Sequence, residues 1–393
     1  MIKKVLSLII KLLHFLFPKK SNMIVYSSYP DFSDNSFAFF VYILKNKPKY
    51  RNIWLVDSLE IDKYKKTVTT YSKSKNFKII KKASLRGLYY YFRTKYIFHT
   101  HGLFNVFPLS NRQTVVNLFH AMPIKVLGLL DGKKEFIPSH LTISTSKIFQ
   151  QIMSDVCGLS LDKVLISGQP RNEFLFDEKA TLNALFNPKE DENESTILWM
   201  PTYRKSDFGE IREDGTSYSE DSLSEKSLNK LNNYLKKINT NCYIKLHPMD
   251  VLKKESFHSY TNIFFLNNNS FVDKNVNLYS CLSCVDMLIT DYSSIYVDLL
   301  LLNKPIGFFI SDFEKYKESR GFTFKKPLDY MPGEIIFNMK DLITFINKTF
   351  VLKIDNFTEK RIDINSKLNE VYKDASEKIY RKVILKVDEF YKK

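Results

Sequence analysis

The chain has 393 residues, 44% hydrophobic and 15% aromatic, which suits two domains with proper cores and excludes wholesale disorder. Its net charge of +16, from 59 basic and 43 acidic residues, points to acidic partners: nucleic acid, an anionic membrane surface or a phosphorylated substrate. Four cysteines in so long a chain exclude a disulfide framework.

The first twenty residues, MIKKVLSLIIKLLHFLFPKK, have a basic start and an apolar middle, as a signal peptide does, but no small-residue cleavage site. Lys3, Lys4, Ser7, Lys11 and His14 recur at three- and four-residue steps. That spacing predicts one polar stripe on a helix, with Val5, Leu6, Ile9, Leu12, Leu13 and Leu16 opposite. The segment is too short and too interrupted to span a bilayer. Its five lysines and absence of acids fit an amphipathic helix over residues 1–20 lying on the anionic cytoplasmic leaflet. A helix docked on its own domain is the alternative. No later segment is long and apolar enough to cross a membrane, so a peripheral protein on the cytoplasmic face is expected.

Short apolar runs then alternate with helical patterns. Strands are predicted over 23–27, 52–57, 95–99, 114–119, 140–144 and 163–167, and again over 196–200, 242–246, 262–266, 286–290 and 305–309. Helical patterns fall at 36–45, 84–93, 147–157 and 226–238. This alternation predicts parallel sheets covered by helices on both faces, in two α/β domains of doubly wound type. The first would span 21–185 and the second 196–362, with FNPKEDENES (186–195) as the linker and a helical, lysine-rich tail over 363–393. A polar stretch at 205–226 reads as a loop. Two such domains are expected to face a central cleft at the carboxyl ends of their strands, where a ligand would sit. Cys281 and Cys284 form a C-x-x-C without a second pair, and read as core residues on a helix before a strand. Residues 63–95 carry eleven basic residues among tyrosines, but no nucleic-acid-binding motif accompanies them, and nucleic acid ranks last among the partners.

The residues with chemical potential gather at predicted strand ends. In ITDYSSIYVD, a strand gives way to Asp291-Tyr292-Ser293-Ser294 and then to a helix. Unpaired N–H groups at that helix start, with the hydroxyls of Ser293 and Ser294, would make an anion site. Asp298, about a turn further in, could accept hydrogen bonds from a polyol hydroxyl. Simple capping by Asp291 or Ser293 explains the same pattern equally well. NLFHAMPIK places His120 at another strand end with Lys125 in reach. ISGQPRNEF ends a strand with Gly168, Pro170 and Arg171, LWMPTYR with Thr202 and Arg204, and YIKLHP with Lys245 and His247.

Taken together, HAMPIK, GQPRNE, PTYR, KLHP, TDYSSIYVD and the Tyr316…Arg320-Gly321-Phe322 element resemble the motif series of the CDP-glycerol glycerophosphotransferases, the teichoic acid primases and polymerases, in both order and spacing. The resemblance runs from about residue 117 to 325; the first hundred residues match only in general style. It implies a GT-B-like fold of two Rossmann-like domains. It also implies transfer of glycerol phosphate from CDP-glycerol to a hydroxyl of a lipid-linked acceptor, a polyprenyl-diphosphate-linked saccharide or polymer, with release of CMP. Carried over by position, His120 matches the general base, and His247 joins it as a catalytic residue. Met122, Pro123, Ile124 and Lys125 would line the donor pocket, and Arg171, Thr202 and Tyr203 would touch the donor. Lys245 and His247 would meet the pyrophosphate, and Ser293, Ser294 and Asp298 the phosphate and glycerol. Arg204, Asp291 and Arg320 would support them.

That chemistry agrees with the residue types: neutral histidine can take a hydroxyl proton near pH 7, and phosphoryl transfer rests on positive charge and N–H donors. The motifs include no acidic cluster suited to magnesium, and they neither require nor exclude a divalent metal. Three departures bear on the donor. Ala121 and Met122 stand where the family has glycine and usually threonine, and Tyr203 stands for tryptophan. CDP-ribitol or another CDP-polyol would therefore fit as well as CDP-glycerol. The length leaves no room for a large extra N-terminal region, which favours a primase or short-chain transferase. The competing readings are a GT-B glycosyltransferase using a nucleotide sugar and a non-catalytic membrane scaffold.

Overall fold

Among the residues described in the computed structural model (2–58, 60–176, 181–186, 195–202, 223–245 and 260–386), the apolar runs become two wholly parallel sheets. The first contains β1 (Lys20–Ser27), β2 (Arg51–Val56), β3 (Phe77–Lys81), β4 (Thr94–His99), β5 (Thr114–Asn117), β6 (Leu141–Ser144) and β7 (Val164–Ile166), in the order β3-β2-β1-β4-β5-β6-β7. The second contains β8 (Ser195–Met200), β9 (Thr240–Lys245), β10 (Ile263–Leu266), β11 (Met287–Thr290), β12 (Ile306–Phe309) and β13 (Glu334–Ile336), in the order β10-β9-β8-β11-β12-β13. Both orders are those of a doubly wound sheet. The chain direction along each sheet reverses once, between β1 and β4 in one and between β8 and β11 in the other.

Burial on both faces explains why these strands read as continuous apolar runs rather than alternating ones. In β1, Met23 and Val25 face one core with Ile53, Leu55, Ile97 and Val115. Tyr26, on the opposite face, stacks on Trp54 and lies against Phe39 and Phe40. In the second sheet Ile197, Trp199, Ile244 and Ile289 pack with Leu231 and Leu235 of helix Glu225–Lys237 and with Leu342 and Phe345 of helix Met339–Ile346. The two strands absent from the sequence prediction, β3 and β13, are sheet edges of five and three residues. Much of their length is only half-buried, so no dense apolar run marks them.

The chain divides into two units, one of 1–122, 127–174 and 368–393 and one of 123–126 and 175–367. The C-terminal segment belongs to the first unit because it is bonded there. Val371 N–H donates to the Thr145 carbonyl at 2.9 Å, and Ser376 donates through N–H and hydroxyl to Glu173 at 2.7 and 2.9 Å. The segment is also not one helix. Helix Thr358–Leu368 ends, and a second helical stretch starts at Ala375. Nearly all of the linker at 186–195 and of the loop at 205–226 lies outside the described residues.

The N-terminal helix, Ile2–Leu16, departs from the predicted stripe. Ile10 and His14 are buried against the first core, with Leu13 and Phe17 packed beside them, so His14 faces protein rather than water. Its ring meets Phe92 at 4.9 Å, and burial, aided by the charges of Lys19 and Arg112, drives its pKa down to about 4. Arg112 donates to the carbonyls of His14 and Phe15, closing the helix end. The helix is docked, yet Val5, Leu8, Ile9, Leu12, Phe15 and Leu16 remain exposed, Phe15 at 72%. No helix among the described residues is long and apolar enough to cross a membrane.

Candidate active site

Parallel register aligns the strand ends. Ser27 of β1 pairs with His99 of β4, and His99 with Asn117 of β5, so the loops that follow leave the sheet at one edge. Three of these loops, with the one after β7, build the surroundings of His120. The loop after β1 leads into helix Asp34–Asn46. Asn35, fully buried, donates through Nδ2 to the carbonyls of Leu118 at 2.9 Å and Phe119 at 2.6 Å, and accepts the Arg171 N–H at 3.0 Å. Phe119 has φ +26°, a conformation that a bulky residue avoids. Its carbonyl is held by Asn35, and its N–H donates to Asn117 Oδ1 at 3.0 Å. Local strain directly before His120 is thus fixed by two asparagine side chains.

Arg171 sits beneath the same turn. It is 5% exposed, ion-paired to Asp34 at 2.8 Å, and its Nη1 also donates to the His120 carbonyl. Sequence reasoning cast Arg171 as a donor contact; this nitrogen is committed to the backbone that carries His120. His101, in the loop after β4, was not singled out in the sequence. Its ring lies flat against that of His120, with centroids 4.2 Å apart and planes 10° apart. The signal was available: His99-Thr100-His101-Gly102 ends a predicted strand as NLFHAMP does. Ala121 is not among the residues with positive φ, so replacing the family's glycine forces no altered turn here.

In the second unit the candidate residues gather at the ends of β8, β9 and β11, around the reversal point of the sheet. Asp291, 3% exposed, accepts the Thr202 N–H at 3.0 and 2.9 Å and the Thr202 hydroxyl at 2.9 Å, joining the ends of β8 and β11. Ser293 and Ser294 follow, half-buried, and their hydroxyls make no hydrogen bond among the described residues. Ser294 is the N-cap, without a side-chain cap bond, of helix Ile295–Leu299, which runs on as a 3-10 turn through Leu302. The capping by Asp291 or Ser293 considered from the sequence is therefore not what forms, and so short a helix is a weaker anion site than predicted. Asp298 is fully buried and accepts the Tyr279 hydroxyl at 2.6 Å. Tyr292 points into the core, stacked on Tyr316 at 3.9 Å and donating to Asp312 at 2.8 Å.

Lys245 ends β9, and burial lowers its pKa to about 8. Its amine has no hydrogen bond or ion pair among the described residues. Residues 123–126 also belong to this unit. Lys125 bridges antiparallel to Phe322, Thr323 N–H donates to the Ile124 carbonyl at 3.1 Å, and its hydroxyl donates to that of Pro123 at 2.8 Å. Gly321, at φ +73°, makes the turn that presents this edge, and Arg320 caps the preceding helix. Met122, Pro123 and Ile124 are buried and Lys125 is partly exposed. Tyr203, Arg204 and His247 lie outside the described residues. Cys281 is buried and Cys284 half-buried, both as free thiols. Among the described residues no group of three or more His, Cys, Asp or Glu side chains could hold a metal ion.

Two Rossmann-type units whose strand ends carry histidine, lysine and serine hydroxyls define a GT-B-like transferase. The chain matches the profile of the CDP-Glycerol:Poly(glycerophosphate) glycerophosphotransferase family over residues 9–385, and it belongs to that family. It is 27% identical to the teichoic acid poly(glycerol phosphate) polymerase of Bacillus spizizenii, over 86% of each chain. It is 24% identical to the teichoic acid poly(ribitol-phosphate) polymerase of the same organism, over 80% of this chain but only 52% of that protein. In fold it resembles the wall teichoic acid polymerase TagF, with a TM-score of 0.70 at 19% identity, covering 94% of this chain and 89% of that one. The family membership and fold implied by the motifs are borne out.

Proposed function

We propose that the chain transfers glycerol phosphate, or a related polyol phosphate, from a CDP-polyol to a hydroxyl of a lipid-linked acceptor, in the synthesis of a teichoic-acid-like or capsular polymer. The observation that carries this reading is the family match over residues 9–385, with His120 held at a strand end by Asn35, Asp34 and Arg171. In the proposed step the acceptor hydroxyl gives its proton to the His120 imidazole. Its oxygen forms a bond to the polyol-bearing phosphorus, and the bond from that phosphorus to the bridging oxygen breaks, its electron pair leaving with CMP. Lys245, Ser293 and Ser294, with Lys125, would hold the donor phosphates; the Lys245 amine and the two serine hydroxyls make no hydrogen bond or ion pair among the described residues, which suits a bound anion. His247, Tyr203, Arg204 and Arg320 retain the roles the motifs imply. Asp291 and Asp298 act by holding Thr202 and Tyr279.

The exposed apolar row of the docked N-terminal helix supports peripheral attachment to the cytoplasmic face of the membrane. The test is CMP release from CDP-glycerol and from CDP-ribitol, in detergent with a lipid-linked acceptor, with His120→Ala and His247→Ala alongside. Release by the wild type alone supports the reading and identifies the donor. Release of a nucleoside diphosphate from a nucleotide sugar would replace it with the glycosyltransferase reading. No turnover of any donor by folded protein would favour the scaffold.

A further inference from the structure

His101 and His120 present an arrangement that the reaction as proposed does not use. The rings are nearly parallel and stacked, their planes 10° apart and their centroids 4.2 Å apart. His101 is held independently on its other sides. Its Nδ1 is 2.9 Å from the Thr100 hydroxyl, and the ring of Tyr29 stands edge-on at 6.0 Å. The turn that carries it is pinned by the Gly102 N–H, which donates to His99 Nδ1 at 3.0 Å, and Gly102 has φ +93°. The Phe119 ring packs on His120 at 4.5 Å. The His120 imidazole therefore meets two rings from separate loops, while its carbonyl is held by Arg171.

We propose that His101 is a positioning residue for His120: its ring fixes the orientation of the imidazole that takes the acceptor proton and keeps water from one of its faces. This rests on the reading of His120 as the base. The groups that act electrically on His101 are Asp34, which favours its protonation, and Arg171, which opposes it. His101 in turn opposes protonation of the fully buried His99, and the uncharged Tyr29 ring and Thr100 hydroxyl also face it. Burial is the largest influence and keeps the His101 pKa below its ordinary value, so at neutral pH the ring stacked on His120 is a neutral imidazole. A neutral, desolvating neighbour makes an imidazolium at His120 harder to form before substrate arrives. Two imidazolium rings at this spacing would repel.

The test compares His101→Phe, which keeps a flat ring, with His101→Ala, which removes it. For wild type and both variants, kcat and KM for the CDP-polyol are measured across pH 5 to 9, and the His120 imidazole is titrated by NMR in the apo-protein. The expectation for His101→Ala is a fall in kcat of about 10- to 100-fold, in the range a displaced general base costs, with KM little changed. Water then reaches His120, its imidazolium is better solvated, and the acidic limb of kcat/KM and the NMR titration move together to higher pH. His101→Phe is expected to keep both near the wild type. Unchanged kcat and unchanged titration in His101→Ala would overturn the proposal. So would a His101→Phe variant as impaired as His101→Ala, since His101 would then act through its own nitrogens. If no donor is turned over by the wild type, the base reading fails; the NMR titration still decides whether His101 orders and desolvates the His120 ring.

Discussion

Asp34 and Arg171 form an ion pair at 2.8 Å, and the same guanidinium nitrogen donates to the carbonyl of His120. Both side chains are largely withdrawn from water, 16% and 6% exposed. An arginine that a motif comparison assigns to the donor is here tied to the backbone of His120.

Removing one partner of such a pair strands a buried charge, which costs about 3–5 kcal/mol. Arg171→Met is expected to lose stability of that order in urea titration and to lose turnover with it. The double variant Asp34→Leu with Arg171→Met should be less destabilised than the sum of the singles, because neither charge is left behind. Strict additivity would show that the pair is not coupled.

Asp291 takes two donors from Thr202, and neither residue needs the donor substrate to make these bonds. Asp291→Ala leaves a buried N–H and hydroxyl unsatisfied, a loss of about 1–3 kcal/mol. It should lower the melting temperature of the apo-protein and raise KM for the CDP-polyol. Thr202→Ser, which keeps both donors, should do neither. An Asp291→Ala variant with normal stability and only a binding defect would mean that this carboxylate serves the ligand directly.

Lys245 gives a pH dependence with a definite sign. Burial lowers its amine from 10.5 to about 8. Between those values the unfolded chain holds a proton that the folded chain has released, so this group's contribution to stability rises with pH through that window. A bound phosphate favours the ammonium, so donor affinity should fall as pH passes 8, approaching about tenfold per pH unit. Lys245→Met should bind the donor weakly at every pH, lack that falling limb, and melt higher than the wild type at pH 7. An unchanged limb in Lys245→Met would assign it to another group.

The N-terminal helix is both docked and exposed, so substitutions on its two faces should behave differently. Phe15→Glu and Leu12→Glu change solvent-facing positions, and should leave the unfolding free energy within about 0.5 kcal/mol of the wild type while weakening sedimentation with phosphatidylglycerol vesicles. Ile10→Ala opens the core and should cost about 2–5 kcal/mol. Equal vesicle binding by Phe15→Glu and the wild type would remove the membrane role of this face.

Much of this protein was legible in the chain. Strands buried on both faces read as apolar runs, and the fold class follows from their alternation with helices. The edges β3 and β13 escaped because an edge strand needs no dense apolar run. His120, Lys245 and Ser293 were legible because polar residues that end an apolar run must emerge at a sheet edge. His14 was misread because helical periodicity tells which residues share a face, not which face meets protein.

The sequence by itself determined the two-sheet class, the family and which strand ends carry the candidate residues, because these depend on local pattern and chain order. Only the tertiary structure decided that Asp34, Asn35 and Arg171 brace the His120 turn, that His101 lies upon its ring, and that the C-terminal segment returns to the first unit. Those relations join residues up to 137 and 223 positions apart, through Arg171 with Asp34 and Thr145 with Leu368. No local propensity encodes such distances; they follow from the order in which parallel strands enter the sheet.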